Sequence, residues 1–143
     1  MFVLAEQLAK DTLPIGDFPL CRLLLMNDRQ YPWFILVPRR EDVSELFQLD
    51  EPDQRQLWKE TTQLAEMLKD TFAADKMNVA TLGNMVSQLH MHVIVRRKSD
   101  PAWPAPVWGK HPAQPYSAAE LQGIRDKLGL VLTEDFHFEE GKA

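Results

Sequence analysis

The sequence predicts an α+β fold on three observations. Two short apolar runs, residues 21–26 and 33–37, flank a stretch of turn-forming residues. A long amphipathic pattern opens at Asp50. Further on, an apolar run carries histidines at alternate positions. Short apolar runs bounded by turn residues read as strands, and apolar residues spaced by three or four read as helix. With 143 residues the chain is expected to form one domain over its whole length. A chain of this size buries roughly two-thirds of its unfolded surface.

Taken in order, Leu4 and Leu8 give residues 2–10 a helical spacing. Asp11 to Pro19 holds two prolines and a glycine and reads as loop. Cys21-Arg22-Leu23-Leu24-Leu25-Met26 and Trp33-Phe34-Ile35-Leu36-Val37 are too short for ordinary helices and read as an antiparallel hairpin around residues 27–32. Asp42-Val43-Ser44-Glu45 has capping-box spacing and predicts a brief helix. Asp50-Glu51-Pro52-Asp53 is a stronger start: a cap residue, acidic residues in the first turn, and proline where its missing N–H costs nothing. That helix is expected to run to about Phe72, with Leu57, Leu64, Leu68 and Phe72 on its buried stripe.

Met77-Asn78-Val79-Ala80 reads as a third strand, and Leu82-Gly83-Asn84-Met85 as a tight connection to the histidine run. Residues 100–115 carry five prolines together with Trp103 and Trp108, a density at which no regular element survives. Ser117-Ala118-Ala119-Glu120 is a second capping box, opening a helix with Leu121, Ile124 and Leu128 on one face. The acidic tail after Thr133 is expected to fray.

Composition excludes several classes. A net charge of −5 argues against a general nucleic-acid binder, which presents a basic face. The only tight cationic cluster is Arg96-Arg97-Lys98. Arg96 and Arg97 alternate at a strand end, so one of them faces the histidines; each reads as a solvated charge ahead of a phosphate ligand. The single cysteine, Cys21, cannot form an intramolecular disulfide and suits a reducing compartment. No apolar stretch approaches the roughly 18 residues of a membrane span, and no signal pattern opens the chain. A cytoplasmic protein without a membrane partner is the expectation.

The chemistry concentrates in Gln88-Leu89-His90-Met91-His92-Val93-Ile94-Val95, which holds two of the four histidines. On a strand, Gln88, His90 and His92 share one face, while Leu89, Met91, Val93 and Val95 turn to a core. Three readings stand. The polar face is simply solvated or satisfied. Alternatively, His-x-His supplies two zinc ligands, although a third protein ligand is then needed. In the third reading a neutral imidazole attacks phosphorus, a neighbouring imidazole serves the leaving group, and the amide orients the nucleophile or holds an oxygen.

The stretch from Asn84 to Ile94 resembles the signature of the histidine triad (HIT) superfamily, His-φ-His-φ-His-φ-φ with φ apolar, as a bacterial-type Gln-x-His-x-His variant. Residues 32–39 resemble the family's second hairpin strand, and the resemblance spans about residues 20–97, leaving 98–143 as a proline- and tryptophan-rich segment plus a helix. It implies an antiparallel sheet with the long helix packed on it, paired across a homodimer. The activity it implies is nucleotidyl hydrolysis or transfer at the α-phosphate of a nucleotide conjugate, with a nucleotide as partner and no cofactor or metal in the chemistry. His90 falls at the nucleophile's position, His92 near the leaving group as proton donor, and Gln88 at the first triad position. Asn27 and Asp28 fall where ribose hydroxyls are held, although both also read as plain turn residues. Gly83 and Asn84 fall at the phosphate-cradling turn, and Asn78 lies one residue short of a phosphate contact. Gln88, Trp33 and Met85 stand where many members carry histidine, histidine, and serine or threonine. A neutral nucleophile predicts activity falling on acidification through about pH 6.5, the ordinary histidine range.

Trp33 reads as packing before base recognition. Trp108 and Trp103 read first as core cover, then as a dimer contact, then as a lid.

Overall fold

A computed structural model describes residues 1–139. The elements are α1 (Glu6–Asp11), β1 (Thr12–Asp17), β2 (Cys21–Met26), β3 (Trp33–Pro38), a 3₁₀ turn (Leu46–Gln48), α2 (Glu51–Thr71), β4 (Lys76–Ala80), β5 (Met91–Arg96), α3 (Ala118–Val131) and β6 (His137–Phe138). They build a six-stranded sheet ordered β4-β5-β3-β2-β1-β6, in which all the pairings are antiparallel. This is the α+β architecture expected.

Helix α2 forms for the reasons its sequence gives. The Asp50 carboxylate accepts the Asp53 N–H at 2.9 Å, and Pro52 sits in the first turn. Leu57, Leu64 and Leu68 are fully buried against Leu23, Leu25, Phe34, Leu36, Met91, Val93 and Val95. Burial of each such side chain stabilises the fold by about 1.5–3 kcal/mol. Glu60 ties the helix to the sheet: its buried carboxylate accepts the Leu20 and Cys21 N–H groups, both at 2.9 Å.

The opposite sheet face holds a second core, where Leu24, Trp33, Ile35, Val37 and Ile94 meet Leu8, Tyr31, Ala102 and Val107. Its cover comes from α1 and the irregular 100–116 segment. The sheet centre is therefore buried on both faces.

Four expectations need correction. The stretch read as loop contains β1, which tolerates Pro14 because the register shifts between Pro14 and Gly16 and β6 covers only Gly16 and Asp17. The tail is not frayed at 137–138, which pair with β1. Gly16 permits that approach, since a Cβ there would lie 2.3 Å from the His137 carbonyl oxygen; residues 140–143 lie outside the described residues. The N-terminal helix begins only at Glu6. The brief helix is a single 3₁₀ turn starting three residues late, where the Gln48 amide oxygen accepts the Ser44 and Glu45 N–H groups. Among the described residues no helix is long and apolar enough to cross a membrane.

Candidate active site

Strand β5 starts at Met91, so only part of the histidine run is strand. His90 precedes it because its carbonyl is taken by the Thr81 hydroxyl at 2.7 Å, and Leu89 N–H donates to Val43. The alternation still holds for the two rings. Those of His90 and His92 lie 4.9 Å apart edge to face, on the sheet face away from α2, and both side chains are buried.

Gln88 does not join them. Its amide oxygen accepts the Ala5 N–H at 2.8 Å and its amide nitrogen donates to the Val3 carbonyl at 2.9 Å. The side chain is spent on anchoring the N-terminal segment, and that is also why residues before Glu6 are not helical. What Gln88 offers His90 is its main chain: His90 Nδ1 lies 2.7 Å from the Gln88 carbonyl oxygen. A carbonyl only accepts, so Nδ1 carries a proton and Nε2 is the ring nitrogen left outside that bond.

His92 has the complementary arrangement. Ile35 lies opposite His92 across the β3–β5 ladder, which puts Trp33 at the diagonal position on the same face. There the indole Nε1–H donates to His92 Nδ1 at 3.0 Å. An indole nitrogen is only a donor, so Nδ1 of His92 is bare and its proton sits on Nε2. Burial, with the neighbouring His90 adding to it, lowers the His92 pKa to about 3. The hydrogen bonds thus put a proton on Nδ1 of His90 and leave Nε2 as the N–H of the neutral His92.

Trp108 closes the arrangement, its ring 5.0 Å from His92 and 5.7 Å from Trp33, each edge to face. On the far side of the two indoles lies a cavity of about 510 Å³ lined by Asn27, Asp28, Trp33, Val107, Trp108 and His111 among others. That is within the range of small-molecule pockets. Asn27 and Asp28 are engaged there with the chain itself: Asn27 Oδ1 accepts the Tyr116 N–H at 2.9 Å, and Asp28 Oδ1 accepts those of Gln30 and Gln114 at 3.1 and 3.3 Å. They hold the 112–116 segment against β2.

Gly83 adopts a left-handed φ of 81°, which favours glycine, and Asn84 beside it is exposed. Asn78 lies on β4 opposite Ile94, two residues along from the Ala80–His92 pair, and its Oδ1 accepts from Arg96 at 2.8 Å. Arg96 is not solvated: only 2% exposed, it also bonds both Asp100 oxygens and the Ala105 carbonyl. Arg97 turns to the Phe72 carbonyl instead. Among the described residues no group of three or more His, Cys, Asp or Glu is placed to hold a metal ion.

Nothing local in residues 107–116 indicates that they reach the site. Trp108 lies sixteen positions beyond His92, and the prolines around it identify loop without identifying what the loop covers. The only local signal was the pair of tryptophans within a run that supplies no amphipathic face of its own.

The HIT domain family model matches residues 7–99, and the chain belongs to that family, whose members are generally nucleotidyl hydrolases or transferases and in some cases non-catalytic. Similar crystal structures include a histidine triad protein from Marinobacter aquaeolei, 48% identical with a TM-score of 0.92 over 94% of this chain and 98% of that one. A histidine triad protein from Sinorhizobium meliloti is 46% identical, with a TM-score of 0.88 over 91% and 96% of the two chains. One from Bradyrhizobium japonicum is 44% identical, with a TM-score of 0.88 over 90% and 96%. These coverages carry the likeness beyond residue 99 into the C-terminal segment. No curated protein matches the chain.

Proposed function

We propose that the protein is a nucleotidyl hydrolase or transferase in which His90 attacks the α-phosphorus of a nucleotide conjugate. The observation that carries this reading is the hydrogen bond from His90 Nδ1 to the Gln88 carbonyl, which leaves Nε2 of this buried ring as the nitrogen available to attack. Attack forms the Nε2–phosphorus bond while the bond to the leaving group breaks with its electron pair. Water then cleaves the nucleotidyl-histidine, returning the pair to Nε2. His92 meets the leaving group with its Nε2–H.

The cavity beyond Trp33 and Trp108 takes the nucleoside in this reading, with the carboxylate and amide of Asp28 and Asn27 at its wall for the ribose. The Gly83–Asn84 turn takes phosphate oxygens through its N–H groups, and Asn78 fixes Arg96 at the end of the histidine strand. Pairing into a homodimer is part of the proposal. β4 is an edge strand, and Val79, Leu82 and Met85 on and after it are exposed apolar side chains.

The test is intact-protein mass spectrometry after acid-free quenching with a diadenosine polyphosphate, on wild type and His90→Ala. A nucleotidyl adduct on the wild type that the variant lacks is the expected result. No adduct and no product over hours overturns the reading. One observation favours a second reading, a nucleotide-holding module with little turnover: Asn27 and Asp28 are already occupied by the 112–116 segment. Binding of a nucleoside monophosphate without cleavage of any conjugate is its signature.

A further inference from the structure

Trp33 occupies a position from which it decides what His92 can do. Its indole N–H reaches His92 Nδ1 at 3.0 Å, and the ring packs 5.8 Å from the imidazole. To act as a full general acid, His92 would have to be an imidazolium, carrying protons on both nitrogens. The indole N–H stands where the second proton would go, and an indole cannot accept a hydrogen bond from it.

The surroundings offer no compensation. His90, which precedes β5, is the titratable ring in contact with His92, and it disfavours rather than stabilises a charge there. From β3 and the 100–116 segment come the neutral rings of Trp33 and Trp108. From β4 comes Ala80 opposite His92. Arg96, further along β5, is committed to Asp100. Lys10, Asp11, Asp28 and His111 line the cavity on the other side of the indoles.

We infer that Trp33 is a specificity-determining positioning residue that holds His92 as a neutral Nε2–H donor, restricting the site to conjugates whose leaving group departs as an oxyanion. The inference rests on the nucleotidyl-transfer reading above. A neutral imidazole donates a hydrogen bond to a leaving oxygen and steadies its negative charge, but keeps its proton. In the forming step His90 Nε2 gains the bond to phosphorus and the phosphorus–oxygen bond breaks. The leaving group keeps the electron pair and departs as a phosphate-type or phenolate-type anion, with no proton owed. An alkylamine leaving group is different: its departure from a phosphoramidate requires protonation of the nitrogen, and His92 in this tautomer does not supply it. General acid catalysis is worth about 10²–10⁴-fold, so that is the discrimination in kcat/KM expected for the anion-leaving conjugate over the amine.

Two measurements on the whole protein test this. The first is a long-range ¹H–¹⁵N spectrum of the histidines in the free wild-type protein, read from pH 5 to pH 8, which requires no turnover. The expected result is a pyridine-type Nδ1 and a protonated Nε2 for His92 throughout; a protonated Nδ1, or an imidazolium, overturns the inference. The second compares kcat/KM for two conjugates of the same adenylyl group, a diadenosine polyphosphate and an alkylamine phosphoramidate, in wild type and Trp33→Phe. The expected wild-type ratio is about 10²-fold or more in favour of the polyphosphate, narrowing in the variant as Nδ1 is freed. Equal rates on the two conjugates in wild type overturn the inference while leaving nucleotidyl transfer standing. No adduct from either conjugate overturns nucleotidyl transfer itself, and the spectrum then still decides the His92 tautomer. Should Trp33→Phe fail to fold, the wild-type spectrum and the wild-type ratio carry the test without it.

Discussion

The burial of His92 makes the fold itself sensitive to acid, and the size of the effect follows from its pKa. In the folded protein His92 is lowered from the ordinary 6.5 to about 3 by burial and by His90. The unfolded chain, with an ordinary imidazole, therefore takes up a proton on acidification through pH 6.5 that the folded chain refuses until about pH 3. The unfolded state binds more protons throughout that window, so stability is complete above pH 6.5 and falls as the pH drops. One pH unit is worth about 1.4 kcal/mol, which makes the loss from this group about 2 kcal/mol at pH 5. The assay is urea unfolding at a fixed protein concentration, at pH 7.5 and pH 5, for wild type and His92→Gln. The amide cannot titrate and still offers Trp33 an acceptor, so subtracting the two pH dependences removes the contribution of every other group. Wild type is expected to lose about 2 kcal/mol more than the variant on acidification. Parallel pH dependences would show that His92 is not held neutral, and would undo the electrostatic basis of the site as described.

Two further perturbations probe the frame around the histidines. Asp100→Ala strips the buried Arg96 of its carboxylate partner and is expected to cost about 3–5 kcal/mol in urea unfolding. Burial pushes the Asp100 carboxyl up, but Arg96 and the Arg97 and Trp103 N–H groups together hold it below the usual range. Asp100→Asn, which keeps an acceptor, is expected to lose less; equal losses would show that charge pairing is unimportant there. Gln88→Ala removes both bonds to the N-terminal segment, worth about 1–2 kcal/mol together. Faster amide exchange at Ala5 and proteolysis before Glu6 are the expected readouts, and unchanged exchange would show that the segment is held by something else.

The elements that were legible in the sequence are those whose signals are local. Asp50 and Pro52 start α2, Leu57 to Leu68 give it a face, and Ser117 opens α3. The side of the sheet taken by Leu89, Met91, Val93 and Val95 follows from strand alternation alone. What was not legible depends on contacts across long stretches of chain. Pro14 and Gly16 argue for loop, until β2 pairs with the stretch and β6, some 120 residues later, adds its pairs at Gly16 and Asp17. The Gln88 side chain reads as a catalytic amide by its place in the run, yet its partners are Val3 and Ala5, more than 80 positions away. Alternation also fails at Gln88 because the strand has not begun: Thr81 holds the His90 carbonyl outside the ladder. Asn27 and Asp28 look like turn residues and do serve the turn, but they also clamp a segment that no local pattern assigns to them.

The same distinction separates the motif from the chemistry. Spacing of two on a strand is enough to bring His90 and His92 to one face, and it specifies nothing about their protonation. That is set by the Gln88 main chain rather than its side chain, and by two groups the motif does not contain, the Trp33 indole and the Trp108 ring. A polar residue on a strand face that looks solvent-directed in sequence titrates near its ordinary value. The same residue under two indoles loses water on that side, and its charged form becomes the costly one. Trp33 does this and also commits the one hydrogen-bonding atom of its ring to His92, so the packing residue also sets that imidazole's tautomer. The position of the proposed nucleophile therefore comes from the family pattern, whereas the acid–base character of its neighbour has to be derived from the residues that cover this particular sheet face.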